Sequence, residues 1–166
     1  MVKSARFHIS GDPSMKIAVA CDHAGFPLKE HVLETVRCAG HTPIDLGTDS
    51  TTSVDYPDYA EKLGHFLQTG QAERGILLCG SGVGACIAAN KLKGIYASIC
   101  HDTFSGHQGV EHDNMNVLCL GPRVIGPELA SEIITAFLSA KFIGNEPGEE
   151  RHARRVAKIR KLENNG

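Results

Sequence analysis

Short apolar runs alternate with amphipathic stretches from Lys16 onward. KIAVAC (Lys16–Cys21) predicts a buried strand, and TPIDL, GILLC, IYASIC and NVLCLG predict further strands. Helical spacing appears between them. Leu28, Val32, Leu33 and Val36 share one face of FPLKEHVLETVRCAG, which closes on Gly40. YPDYAEKLGHFLQTG carries Pro57 near its start and Gly70 past its end, both at helix-boundary positions. After GILLC a glycine-rich turn leads into a helix expected to run to about Leu92. DTFSGHQGVE predicts a short helix and GPELASEIITAFLSAKF a long amphipathic one. A basic helix from Arg151 to about Glu163 follows the GNEPGEE turn.

Strands that are nearly all apolar, alternating with helices, imply a parallel sheet covered on both faces. Right-handed crossovers then leave few topologies, and the order 2-1-3-4-5 is expected. Ligands in such sheets bind beyond the carboxyl ends of the strands, where the winding reverses between strands 1 and 3. Strand 1 ends in Cys21-Asp22-His23-Ala24-Gly25, and strand 3 in Cys79-Gly80-Ser81-Gly82. A carboxylate, an imidazole and a thiol therefore converge on one crevice. Asp22 and His23 could instead cap a helix, and Cys79 could be a small buried hydrophobe. The unpaired N–H groups of a following helix would favour a thiolate, which is a competent base or nucleophile.

Gly80 to Ala85 also fits the G-x-G-x-x-G/A dinucleotide fingerprint, and Asp102 stands where that fingerprint places a ribose-binding acid. The chain's 166 residues leave little room for the separate substrate domain such a cofactor needs. The length favours one domain: residues 1–14 read as an extension, disordered or a short pairing segment, and residues 15–166 as the folded unit. A net charge of -2 offers no basic footprint for nucleic acid, and no apolar run is long enough to span a bilayer. Residues 1–14 lack the apolar core of a secretory signal. The six cysteines form no C-x-x-C pair and read as mostly inert buried thiols in a reducing, cytoplasmic compartment. The nine histidines include His107 and His112, close to Asp113, but no recognised metal-ligand spacing occurs, so no metal is expected.

Two further groups carry possible chemistry. His112, Asp113, Asn114 and Asn116 precede strand 5, and Arg123 follows it. Arg151 and Arg155 lie one helical turn apart and can face one anion, although a solvated basic tail would look the same.

Taken together, KIAVACDHAGFPLKE, DLGTDS, DYPDYA, GILLCGSGVGACIAANK, GIYASICHD, EHDNMNVLCLGPRVIG and RHARRV resemble ribose-5-phosphate isomerase type B. That superfamily also holds the galactose-6-phosphate isomerase subunits. The resemblance covers about Lys16 to Ile159, and the Cys-Gly-[Ser/Thr]-Gly-Val-Gly loop is close to diagnostic within this fold. It implies a metal-free aldose–ketose isomerase with no cofactor, acting on a small phosphorylated sugar. By resemblance, Cys79 moves the proton between C1 and C2, and Ser81 orients the thiol. The backbone of Gly80, Gly82 and Gly84 holds the enediolate oxygen. His112, aided by Asp22, opens the furanose ring. His23, Arg123, Arg151 and Arg155 bind phosphate, and Tyr56 lines the sugar. The family forms dimers with shared sites, and tetramers also occur; His112 and Arg123 reach the partner's crevice. One departure touches the substrate: the family's His-Asn-Asp is His112-Asp113-Asn114 here. A carboxylate thus replaces the usual substrate-touching Asn, unless Asn114 takes over through a small loop shift.

The expected architecture is a single Rossmann-like or flavodoxin-like three-layer α/β/α domain with a five-stranded parallel sheet. The expected activity is interconversion of ribose 5-phosphate and ribulose 5-phosphate. Tetrose, allose or galactose phosphates are alternatives within the class. A non-catalytic sugar-phosphate or nucleotide-binding module is the alternative outside it.

Overall fold

The computed structural model describes residues 13–164. Most of the expected N-terminal extension therefore lies outside the described residues. The strands are β1 (Lys16–Cys21), β2 (Thr42–Asp45), β3 (Arg74–Leu78), β4 (Ala97–Ile99) and β5 (Val117–Leu120). The helices are α1 (Phe26–Cys38), α2 (Tyr56–Gln68), α3 (Val83–Ala89), α4 (Thr103–Asp113), α5 (Pro127–Ser139) and α6 (Glu150–Glu163). All strand pairs are parallel. α3 stops at Ala89, short of the expected Leu92.

The strand order is β2-β1-β3-β5-β4, which corrects the expected 2-1-3-4-5. Burial explains the exchange. Val117–Leu120 is fully buried, whereas the three residues of β4 are half-buried or exposed. The wholly apolar strand takes the interior place and the short one the edge. β5 must then double back from β4 toward β3. A right-handed return in that direction puts α4 on the α1 side of the sheet. α4 indeed packs on α5, which packs on α1, while α2 and α3 cover the other face.

Each strand feeds both faces with period two. Ile17, Val19, Ile76, Leu78, Leu118 and Leu120 join α1, α4 and α5 in one core. Ala18, Ala20, Leu77, Cys79, Val117 and Cys119 join α2 and α3 in the other. The open edge at β4 is masked by a side chain. Asn90 Nδ2 donates to the Ala97 carbonyl and Asn90 Oδ1 accepts from the Ala97 N–H, each at 2.8 Å. The amide thus supplies at one residue what a sixth strand would offer.

Candidate active site

The β1–α1 turn is tied by a carboxylate. Asp22 Oδ1 accepts the N–H groups of Ala24 and Gly25, each at 2.9 Å, and the residue is 6% exposed. His23 is half-buried, and its Nδ1 accepts the Val54 N–H at 3.2 Å. Its neutral form therefore carries the proton on Nε2, a donor left for a ligand. Beside them Lys29, which sequence reasoning passed over, is buried and holds the β2–α2 connection. Its Nζ donates to the Thr48 carbonyl at 2.8 Å and pairs with Asp45 Oδ2 at 2.9 Å. Burial works against the Lys29 charge, but the hydrogen bond and attraction of Asp45 outweigh it and raise the ammonium above its ordinary value.

Across the switch point, Cys79 directly follows β3 and is 5% exposed. Its Sγ accepts the Gly82 N–H at 3.1 Å. Ser81 Oγ accepts the Val83 N–H at 3.4 Å. The other cysteine at a strand end is no rival: burial pushes the Cys21 thiol up to about 11. The thiols are not all buried, since Cys38 is exposed and Cys86 half-buried. A hydrogen bond with Cys119 brings the Cys86 thiol down to about 7, against the opposing effect of its burial.

The loop is shaped by two glycines. Gly82 has φ of 85°, a left-handed conformation that disfavours a Cβ. Gly84 lies under the Tyr56 ring, where a Cβ would stand 2.7 Å from the ring's Cζ. Gly82→Ala is expected to cost about 1–2 kcal/mol of stability, read as a lower urea midpoint at unchanged m-value. An unchanged midpoint would mean that the loop tolerates a side chain there.

Arg123 follows β5, and its backbone N–H donates to the Gly80 carbonyl at 3.1 Å. Its guanidinium covers the loop, with Nη1 3.0 Å from where a Gly80 Cβ would stand. Arg123 therefore lies beside the glycine loop of its own chain. The carboxyl end of the sheet thus gathers Asp22, His23, Tyr56, Gly80, Gly82, Gly84, Cys79 and Arg123.

His112, Asp113, Asn114, Arg151 and Arg155 are elsewhere. α4 starts at its N-cap Asp102 above the sheet's carboxyl end and runs back along the sheet. His112, ten residues on, is displaced by about 15 Å at 1.5 Å per residue. Asn116, just beyond, accepts the N–H of Gly75, near the start of β3, at 2.8 Å. Cys79 is four residues further along, about 13 Å away at ~3.3 Å per residue. His112 stacks on His152 with ring centroids 4.1 Å apart. Arg151 Nη1 pairs with Glu149 Oε2 at 2.7 Å, and Arg155 is exposed on the same helix. Asp113 is exposed. Asn114 caps α4 with φ of 55°, a left-handed conformation that Asn tolerates better than most residues, so its identity has a local structural reason.

The dinucleotide reading loses its acid. Asp102 Oδ1 accepts the Ser105 N–H at 2.7 Å as a helix cap, and that bond lowers the carboxyl below its ordinary value. Among the described residues, no three His, Cys, Asp or Glu side chains gather to hold a metal ion, and no helix is long and apolar enough to cross a membrane.

Comparison with known proteins agrees with this geometry. The family model described as Ribose/Galactose Isomerase matches residues 17–159. D-erythrulose-4-phosphate isomerase of Pectobacterium atrosepticum is 46% identical over 131 residues, covering 78% of this chain and 86% of the relative. Ribose-5-phosphate isomerase B of Escherichia coli is 42% identical over 148 residues, covering 89% of this chain and 96% of the relative. The solved structure of ribose-5-phosphate isomerase B from Clostridium thermocellum superposes with a TM-score of 0.85 at 40% identity, covering 91% of this chain and 99% of that one. A thiol held by a glycine loop at the winding reversal, a matching family model and relatives that agree over nearly the whole chain lead to one conclusion: this chain belongs to the Ribose/Galactose Isomerase family.

Proposed function

We propose that the protein interconverts ribose 5-phosphate and ribulose 5-phosphate, with Cys79 as the proton-transfer base. The observation that carries this reading is the Cys79 thiol, 3.1 Å from the Gly82 N–H at the mouth of the sheet. A sugar-phosphate-binding module needs cations but no thiol at that point. In the forward direction the Cys79 thiolate takes the C2 proton, and the electron pair moves to the C1 oxygen as an enediolate. N–H groups of the Gly80–Gly84 loop stabilise that oxygen; a preorganised donor is worth about 3–4 kcal/mol. The proton returns to C1, O1 gains a proton and O2 loses one. The redox change is internal, so no cofactor is required.

The furanose form must open first. O1 gives up a proton as the C1–O4 bond breaks, and O4 takes one. Asp22 suits the first transfer and His112 the second. His112, Arg151 and Arg155 cannot reach their own chain's Cys79 across about 13 Å of strand. The site is therefore completed by a second copy, whose His112, Arg151 and Arg155 face the Asp22, His23 and Arg123 of the first. An apolar patch supports such a contact: Val83 and Ile87, one turn apart on α3, are 50% and 58% exposed, and Tyr56 is 42% exposed.

A second substrate is favoured by one observation, the 46% identity to an erythrulose-4-phosphate isomerase. A panel of four- to six-carbon sugar phosphates, assayed with and without a chelator, decides between them. Ribose 5-phosphate is expected to give the highest kcat/KM, unchanged by chelation. A preference for erythrulose 4-phosphate would reassign the substrate. Activity lost to the chelator and restored by a divalent ion would replace the protein donors with a metal, and no turnover at all would leave a binding module.

A further inference from the structure

We propose that His152 is a positioning residue for His112, its buried ring fixing the plane in which His112 presents Nε2 to the sugar. The inference rests on the ring-opening role proposed for His112. The two rings stack at 4.1 Å between centroids and 25° between planes. They come from different helices, α4 and α6, forty residues apart in sequence. His152 is only 3% exposed, an unusual place for an imidazole in a helix otherwise rich in arginine and lysine. Its Nε2 lies 3.3 Å from Glu149 Oε2 and has no hydrogen-bond partner among the described residues, while that carboxylate oxygen pairs with Arg151 Nη1 at 2.7 Å. The His152 ring is thus placed by packing and by the stack rather than by a hydrogen bond through Nε2.

The opposite edge of His112 is held as well. Gln108 Nε2 lies 2.9 Å from His112 Nδ1, so the amide donates and the neutral ring carries its proton on Nε2. That is the tautomer required to protonate O4. His152 is suited to stay uncharged beneath it. Burial lowers its proton affinity, and His112, Arg151 and Arg155 lower it further, against the pull of Glu149. On the α4 side the charged groups facing the stack are Glu111, 3.6 Å from His112 Nε2, and His107, which pairs with the same carboxylate. A flat, neutral ring under a proton donor fixes direction without competing for the proton.

The test compares His152→Ala, which removes the ring, with His152→Phe, which keeps a flat surface. Net isomerisation of ribose 5-phosphate reports ring opening plus proton transfer. Solvent deuterium exchange into ribulose 5-phosphate reports proton transfer alone. His152→Ala is expected to lower kcat for isomerisation about 10- to 100-fold, as small misplacements of a catalytic group do, with KM and exchange within about twofold of wild type. His152→Phe is expected to recover most of that loss. If His152→Ala does not fold, His152→Leu supplies the ringless variant. Equal impairment of the Phe and ringless variants would overturn the proposal, as would equal loss of exchange and isomerisation or no loss at all. His112→Ala is measured beside them. If it fails to separate the two readouts, the ring-opening role falls and the stack with it. If it separates them while the ringless variant is silent, only the stack falls.

Discussion

Cys79→Ala is expected to lower kcat about a thousandfold while KM stays within a few-fold of wild type. Loss of a general base costs on the order of 10²–10⁴ in rate, and a thousandfold corresponds to ~4 kcal/mol of lost transition-state stabilisation. The thiol is small and sits among Ala18, Ala20 and Ala85 in the α2–α3 core, so alanine keeps the apolar character of the position. The Gly82 N–H loses its sulfur acceptor but stays in the glycine loop. The proposed phosphate contacts lie on other residues, so KM is expected to be spared. Steady-state kinetics on ribose 5-phosphate, with a thermal melt to confirm folding, reads the outcome. Solvent exchange into the ketose should fall in parallel, as expected of a thiol proposed to handle that proton. A folded Cys79→Ala protein with unchanged kcat would remove the thiol from the chemistry.

Mixing two inactive variants is expected to restore activity. Cys79→Ala disables the carboxyl-end half of the site and His112→Ala the half at the opposite end of the sheet. In a dimer whose sites are shared, a mixed dimer places both defects in one site and leaves the other intact. Random assembly makes half of the dimers mixed, so about a quarter of wild-type isomerisation of ribose 5-phosphate should return. Co-expression of the two variants with different tags, followed by purification of the mixed species, gives the cleanest reading. Failure of an isolated mixed dimer to exceed its parents would place both residues in a single chain's site. That outcome would contradict the separation of about 13 Å set by β3.

The alternation of apolar and amphipathic runs carried most of the fold. Strands such as Ile76–Leu78 are apolar because helices cover both of their faces, and this shows in composition. The exchange of β4 and β5 was not legible. IYASIC and NVLCLG look alike as letters, and only the chain's return path distinguishes edge from interior. The thiol, the glycine loop and Asp22 were legible because strand ends locate a crevice once the winding is known. The placement of His112 was not, since its distance from Cys79 depends on the direction in which α4 runs. His152 was hidden by its neighbours, the arginines on either side. One signal was available: His152 and Val156 are four apart on α6, and together they form its buried stripe. Its stacking partner, by contrast, follows from tertiary packing alone. Ser81 was singled out by its motif position, whereas the N–H of Val83 that its Oγ accepts shows only in the loop's geometry.

The strand order also dictates a sequence of events during synthesis. β4 leaves the ribosome before β5, yet its ladder partner is β5. It has nowhere in the sheet to dock until about twenty further residues have emerged and Val117–Leu120 has slid between it and β3. Until then the strand that leads to Cys79 carries a bare ladder along one flank, because β3 shares that flank with β5 alone. The Asn90 amide reaches Ala97 across only seven residues, so β4 can be held to the end of α3 while it waits. β3 is thus sealed late, by an insertion rather than by an addition at the margin. A nascent chain paused before Val117 would carry Cys79 on an unfinished sheet, open to pairing with any neighbouring strand.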